Sequence, residues 1–193
     1  MQKKILQRIK IRNKCKKLRK NISIINKHIL DNIITNKLLN FISFRKNQNI
    51  GLFISFSGEI NTNLLIKKLW LQNKTVFVPI IDPFFKGKLL FSKYNSNTIL
   101  KFNKFNILEP NVKKESLFLI DILDIIIVPI VSFNFNHYRL GMGGGYYDRL
   151  LINKSNNILP IGIAYDCQLN NKFPICKWDV PLPVIITQSK IWL

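Results

Sequence analysis

RLGMGGGYYDRLL, Arg139 to Leu151, is the segment from which the rest of this 193-residue chain can be read. It holds Gly141, Gly143, Gly144 and Gly145 in one short run. Before it, residues 125–131 (IIIVPIV) form a continuous apolar run of the buried-strand type. After it, Tyr146 to Ile152 read as a short helix with Leu150 and Leu151 turned inward. Strand, glycine loop and helix start in succession let backbone N–H groups converge on an anion, helped by the helix dipole. Glycine permits the close approach and the positive φ that other residues resist. Arg139 adds a cation at one edge of the loop. Asp148 adds a carboxylate in the first helical turn, where a phosphate-bound Mg²⁺ could use it. The plainer alternative is a glycine-rich turn linking strand to helix, with Asp148 an ordinary first-turn acid.

Spacing excludes two better-known nucleotide loops. A P-loop requires Gly-x4-Gly-Lys-Ser/Thr, whereas Gly145 is followed by Tyr146 and Tyr147. The dinucleotide fingerprint Gly-x-Gly-x-x-Gly is not matched by Gly141, Gly143 and Gly145.

Working outward, residues 2–20 and 24–44 read as two basic amphipathic helices, with Ser23 as a cap between them. Arg12, Lys16 and Arg19 fall on one face of the first, a face that is either solvated or turned to phosphates. Residues 50–56 (IGLFISF) read as a strand, followed by a helix from Thr62 to Gln72 and a strand over 75–81 (TVFVPII). Glu59 lies at the carboxyl end of the first strand, where open α/β sheets gather ligands. It could equally be a loop acid near the next helix. Shorter edge strands are expected over 88–92 and 98–102, and a turn or extended piece over 105–110. Buried and final strands are expected over 158–165 and 184–187. Strands alternating with helices give an α/β sheet with helices on both faces, in a single domain.

The composition is globular, 47% hydrophobic and 21% charged. A formal charge of +20 invites a nucleic-acid reading, but the lysines are scattered and no RNA-binding or C₂H₂ signature is present. The skew toward Ile, Asn and Lys, with Ala164 the only alanine, is the pattern of A+T-biased coding. Cys15, Cys167 and Cys176 lack Cys-x-x-Cys spacing, which argues against a disulfide framework and a zinc site and for a reducing compartment. With no signal-like apolar stretch at the start and no run of membrane-spanning length, a cytoplasmic protein is expected. His28 and His137 are isolated, and no Ser/His/Asp order stands out.

Together, RLGMGGGYYDRLL, the Leu18-Arg19 pair, GEINT around Glu59, TVFVPII, NILEP, IIIVPIVSF, GIAYDCQL and WDVPLPVIIT resemble the 5-formyltetrahydrofolate cyclo-ligase family in order and spacing. The resemblance spans residues 15 to 191 and implies a three-layer α/β/α domain with a mostly parallel sheet, NagB/RpiA/CoA-transferase-like, acting as a monomer. It implies ATP and Mg²⁺ as cofactors. In the implied reaction ATP phosphorylates the formyl oxygen of 5-formyltetrahydrofolate, N10 attacks the activated carbon, and phosphate leaves to give 5,10-methenyltetrahydrofolate. Phosphorylation turns a poor leaving group into a good one, and such transfer asks mainly for positioning and charge neutralisation.

Carried over residue by residue, the resemblance makes Arg139, Tyr147 and Asp148 catalytic. Around ATP it places Lys16, Arg19, Arg139 and Leu140, then Gly141, Met142, Gly143, Gly144, Gly145, Tyr146 and Tyr147. Around the folate it places Ile54, Glu59 and Phe105, together with Met142 to Tyr146. Asp148 and Asp179 match the metal-linked acids. Two departures from the pattern stand out. Cys15 occupies a position where the family has lysine, leaving Lys14 or Lys16 to supply the charge. Phe133-Asn134-Phe135-Asn136-His137 replaces Phe-Asp-x-x-Gly, so a retained positive φ at His137 would be strained.

Overall fold

The structure is a computed structural model that describes residues 2–44, 46 and 48–193. The chain opens with two long helices, α1 (Gln2–Lys20) and α2 (Ile24–Ser43). The Ser23 side chain accepts from Asn26 N at the start of α2, so the expected cap is present. There follow β1 (Asn49–Gly51), α3 (Asn63–Leu71), β2 (Thr75–Ile81), β3 (Leu89–Lys93), β4 (Leu100–Phe102), β5 (Leu108–Pro110) and β6 (Ile125–Pro129). The remainder holds β7 (Ser132–Phe133), β8 (Arg139–Leu140), α4 (Tyr146–Ile152), β9 (Leu159–Ile163), β10 (Val184–Ile186) and β11 (Ile191–Trp192).

Seven strands form the central sheet in the order β11-β10-β9-β6-β1-β2-β3. The inner pairs are parallel and only the two edges, β3 and β11, run antiparallel. The inner strands are apolar throughout because both faces are covered, and the period of two sorts their side chains. Val76, Val78, Ile125 and Ile127 pack on one face with Ile34 and Leu38 of α2 and Leu65 and Leu69 of α3. Phe77, Ile126 and Val128 point the other way, onto Leu151 of α4 and Leu182. Each fully buried aliphatic side chain of this kind stabilises the fold by about 1.5–3 kcal/mol. The mostly parallel α/β sheet expected from the sequence is therefore observed.

Some expected elements change. The strand expected over 50–56 stops pairing soon after Gly51, although Leu52 N still donates to Phe77 O (2.9 Å). From there the backbone leaves the sheet and turns through Ser57 (φ 51°) and Gly58 (φ 78°). The segment expected as a turn or extended piece over 105–110 is both: Asn106, at φ 58°, lies at the tip of a separate ribbon in which β5 pairs with β4. The β7–β8 hairpin and the edge strand β11 were not expected; two-residue strands are too short to show a period.

The β7–β8 hairpin answers the question raised by His137. Its φ is 60°, so the left-handed conformation persists without glycine. Asn134 holds the turn: its side-chain oxygen accepts from Asn136 N (3.1 Å) and Tyr138 N (3.0 Å). His137 is tied to Leu182 twice, Nδ1 to the Leu182 carbonyl at 3.1 Å and its own carbonyl to Leu182 N at 3.1 Å. These bonds over-determine the strained residue. Beneath the hairpin, Cys15 packs fully buried with Ile11, Val131, Leu140 and Phe173. A cysteine here joins α1 to the hairpin as a small apolar side chain. No helix among the described residues is long and apolar enough to cross a membrane.

Candidate active site

A cavity of about 460 Å³ opens at the carboxyl ends of β1, β2 and β6. This is where the chain order reverses across the sheet, the usual ligand position in open α/β folds. One wall is apolar and is built by Phe53, Ile54 and Phe56 after β1, Pro79 and Ile81 of β2, and Phe105 between β4 and β5. The other holds Arg8, Arg12 and Lys16 of α1, Arg139, and the loop Gly141–Gly145.

The loop is shaped by backbone that only glycine adopts without strain: Gly143 has φ 114° and Gly145 φ 67°. A Cβ on Gly144 would lie 2.8 Å from ring carbons of Tyr146. Among the described residues, no amide N–H from Gly141 to Gly145 donates to another group of the chain. A run of unbonded amides edged by cations is an anion cradle. Two arginines fix it from outside. Arg12 Nε donates to Gly141 O (2.8 Å), and Arg149 donates to Gly144 O (2.6 Å) and to Gly87 O (2.9 Å). Tyr146 leans edge-on toward Phe105, ring centroids 6.3 Å apart, so the loop also touches the apolar wall.

Arg139 is buried. Its Nη1 donates to Val180 O (2.8 Å), and its Nη2 lies 3.0 Å from Asp148 Oδ1 outside hydrogen-bond alignment, leaving both atoms without a bonded partner. Burial draws the Arg139 pKa down and the Asp148 charge pushes it back. Burial likewise raises Asp148, opposed chiefly by Arg139. Burial also pushes the Tyr147 phenol upward, so it stands in the cavity wall as a neutral donor.

Glu59 is 6% exposed and lines the cavity. Burial pushes its carboxyl up to about 7, against the opposing pull of Arg19 and of a hydrogen bond from Phe56 N (3.3 Å). Arg19 Nη2 is 3.9 Å from Glu59, an ion pair by distance but too long to hydrogen-bond, and burial therefore prevails.

The structure thus gathers Lys16, Ile54, Glu59, Phe105, Arg139, Gly141, Met142, Gly143, Gly144, Gly145, Tyr146, Tyr147 and Asp148 around one cavity. Three expected site residues lie behind its wall. Leu140 is fully buried in the cluster with Cys15, because β8 alternation turns it inward. Arg19, 1% exposed, is sealed under the cavity and donates to Ser57 O (3.0 Å) and Ile130 O (3.3 Å). Asp179 has both carboxylate oxygens engaged by Arg8, at 2.5 and 2.7 Å, and one of them also accepts from Cys176 N (2.8 Å). Lys16 reaches the cavity, whereas Lys14 is exposed outside it; burial and the neighbouring Arg19 and Arg12 charges lower the Lys16 pKa.

Arg8 and Trp178 line the cavity without having been singled out in the sequence. For Arg8 a signal existed, since it lies four residues before Arg12 on the same helical face. Trp178 sits beside the singled-out Asp179 and carried no signal of its own.

Asp148 is the cavity-lining carboxylate nearest the glycine loop in sequence. Asp148 lines the cavity with its Oδ1 turned to Arg139 at 3.0 Å, and Mg²⁺ is commonly held by one or two carboxylates with substrate phosphates. Asp179 fits less well, because Arg8 hydrogen-bonds both of its oxygens, whereas Asp148 meets Arg139 through one. No cluster of three or more metal-binding side chains occurs among the described residues.

This arrangement defines an α/β enzyme in which one cavity joins a glycine loop edged by cations to an apolar wall carrying a buried carboxyl group. The sequence pattern of the 5-formyltetrahydrofolate cyclo-ligase family matches residues 4–188, and the chain belongs to that family. It is 42% identical over 177 residues to the 5-formyltetrahydrofolate cyclo-ligase of Haemophilus influenzae, covering 91% of this chain and 95% of that one. The Escherichia coli K12 protein of the same name is 42% identical over 144 residues, 74% of this chain and 79% of its own. Among solved structures, the Aquifex aeolicus 5,10-methenyltetrahydrofolate synthetase superposes with a TM-score of 0.81 at 28% identity, covering 95% of this chain and 91% of that chain. The Mycoplasma pneumoniae synthetase superposes at 0.77 with 27% identity, covering 94% and 98%.

Proposed function

We propose that the chain, as one cyclo-ligase domain, converts 5-formyltetrahydrofolate to 5,10-methenyltetrahydrofolate with consumption of ATP in this cavity. The observation that carries the reading is the meeting of the unbonded glycine-loop amides with the Glu59 wall through Tyr146 and Phe105. The loop amides, Arg8, Arg12, Lys16 and Arg139 receive the phosphates. Ile54, Phe105 and Glu59 receive the pterin, Glu59 offering a carboxyl that is half protonated near neutral pH. The reaction balances as phosphorylation of the formyl oxygen, attack of N10 on the activated carbon, and departure of phosphate beside ADP.

Each residue has a definite task. Arg139, held by Val180 O, keeps a fixed positive charge where the phosphoryl group transfers. The loop holds the two reactants in register, and positioning of this kind supplies much of the rate in phosphoryl transfer. Tyr147 donates from its neutral hydroxyl. Mg²⁺, when bound through Asp148, supplies neutralisation of phosphate charge. Asp179 fixes Arg8. No side chain acts as a covalent nucleophile. The enzyme is a cytoplasmic monomer, and its +20 charge favours anionic small substrates without specific nucleic-acid binding.

The test is a spectrophotometric assay of purified protein with 5-formyltetrahydrofolate and Mg²⁺, following methenyltetrahydrofolate absorbance. Product is expected only when ATP is present. Product without ATP, or none with it, overturns the reading.

A further inference from the structure

Trp178 is the large aromatic side chain whose environment the reaction leaves unexplained. It lines the cavity, yet 48% of its surface is exposed. The other two tryptophans are occupied. Trp70 packs on Tyr94 and donates to the Tyr94 carbonyl, and Trp192 packs on Phe133 and Phe135 under Lys190. Among the described residues, no aromatic ring or cation stacks on Trp178.

Its backbone, by contrast, is firmly placed. Cys176 to Asp179 form a tight turn closed by Asp179 N to Cys176 O (3.0 Å), with Asp179 Oδ2 accepting from Cys176 N (2.8 Å). Arg8 clamps both flanks of the turn, bonding the Asp179 carboxylate and the Pro174 carbonyl (3.0 Å). The turn that carries the indole is therefore fixed by Arg8, and Arg8 and Trp178 line the same cavity. The pterin wall comes from other segments, Ile54 and Glu59 after β1 and Phe105 between β4 and β5.

We propose that the indole of Trp178 is the stacking platform for the purine base of the nucleotide. The inference rests on the reading of the cavity as an ATP site and adds where the base lies. A nucleotide with its phosphates among Arg8, Arg12 and the loop carries its base one ribose further on, and the turn beside Arg8 is where an aromatic face stands free. Stacking on an indole uses the π-face of the base and tolerates differences at its edges, so the subsite accepts purines as a class.

The test compares ATP with inorganic tripolyphosphate, which has the phosphates and no base, by titration calorimetry with Mg²⁺. Trp178→Ala weakens ATP about tenfold or more, from the worth of base–aromatic stacking, and leaves tripolyphosphate unchanged. Trp178→Phe keeps most of the ATP affinity. ATP, but not tripolyphosphate, quenches the Trp178 fluorescence, identified by its absence in Trp178→Ala. Equal weakening of both ligands in Trp178→Ala, unchanged ATP affinity, or quenching by folate alone overturns the proposal. If the unaltered protein binds neither ATP nor tripolyphosphate, the nucleotide site itself is wrong; if it binds both and Trp178→Ala behaves like it, only the stacking is wrong.

Discussion

Arg8 and Asp179, 171 residues apart in sequence, meet through two buried hydrogen bonds of 2.5 and 2.7 Å. The Asp179 hydrogen bond raises the Arg8 pKa more than burial lowers it, so the guanidinium stays charged at the cavity wall. The pair ties the first helix to the C-terminal segment on either side of the glycine loop. Breaking one member of a buried pair strands the other charge, at a cost of about 3–5 kcal/mol. Arg8→Ala and Asp179→Ala are each expected to lower stability by roughly 3 kcal/mol in urea unfolding, and Arg8→Ala additionally to raise the KM for ATP. A double variant should be little worse than either single one, because both remove the same interaction. Strict additivity would show that the two side chains act separately.

Asp148 has an oxygen close to Arg139 that is not hydrogen-bonded, and it is only partly buried. Asp148→Asn keeps the shape and removes the charge. Turnover is expected to fall on the order of 100-fold, in line with losing an electrostatic group at the reacting phosphate, and the melting temperature to drop while the fold is retained, because buried Arg139 loses its ion pair. Higher Mg²⁺ should recover part of the loss. Near-normal turnover would remove Asp148 from the metal site.

Glu59 gives the fold a specific pH dependence. Its carboxyl has a folded value of about 7 against an ordinary 4.5, so the folded protein holds the proton more tightly than the unfolded chain does. The stability this contributes is fully present below the unfolded value and is lost as pH rises through the folded one. The loss between about pH 5 and pH 8 is about 3 kcal/mol. Glu59→Gln has no such proton to lose. The stability difference between Glu59→Gln and the unaltered protein should therefore grow in favour of the variant across that window. A constant difference would mean that burial does not penalise the Glu59 charge.

His137 carries a φ of 60° and a side-chain bond to Leu182 O. His137→Ala keeps the strain and loses the bond, whereas His137→Gly loses the bond and relieves the strain. The glycine variant should be more stable than the alanine variant by about 1 kcal/mol, the usual left-handed penalty. Equal melting temperatures would show that the turn relaxes when the side chain is shortened.

Arg149 joins the glycine loop to the β2–β3 connection through Gly144 O and Gly87 O. Arg149→Lys can reach one carbonyl but lacks the fork for both. The KM for ATP is expected to rise several-fold and kcat to fall with it, since the loop that holds the reactants in register is loosened. A fall in kcat at constant KM would place Arg149 in the chemistry itself.

Much of the site was legible because its residues are local in sequence. Four glycines, Arg139 and Asp148 lie within ten positions, and the amide cradle is a property of that segment alone. The inner strands were equally plain, since Val76, Val78, Ile125 and Ile127 belong to runs too apolar to face water. The pairing of β4 with β5 apart from the main sheet and the β7–β8 hairpin were not legible, because such short strands are defined by partners and not by pattern. Arg19 and Asp179 were visible as charged residues, but their neighbours, Ser57, Ile130 and Arg8, come from distant parts of the chain.

The sequence by itself therefore determined the parallel sheet, the glycine loop and the chemistry that loop can hold, because these rest on period, apolarity and backbone freedom within short windows. Only the tertiary structure decided which charges face the cavity. Arg8, Arg12 and Lys16 reach it, while Arg19 is sealed beneath it and Asp179 is neutralised at its edge. The physical reason is that a charge is solvated, paired or presented to a ligand according to what packs over it. Those neighbours, unlike a hydrophobic period, are separated along the chain and brought together only by folding.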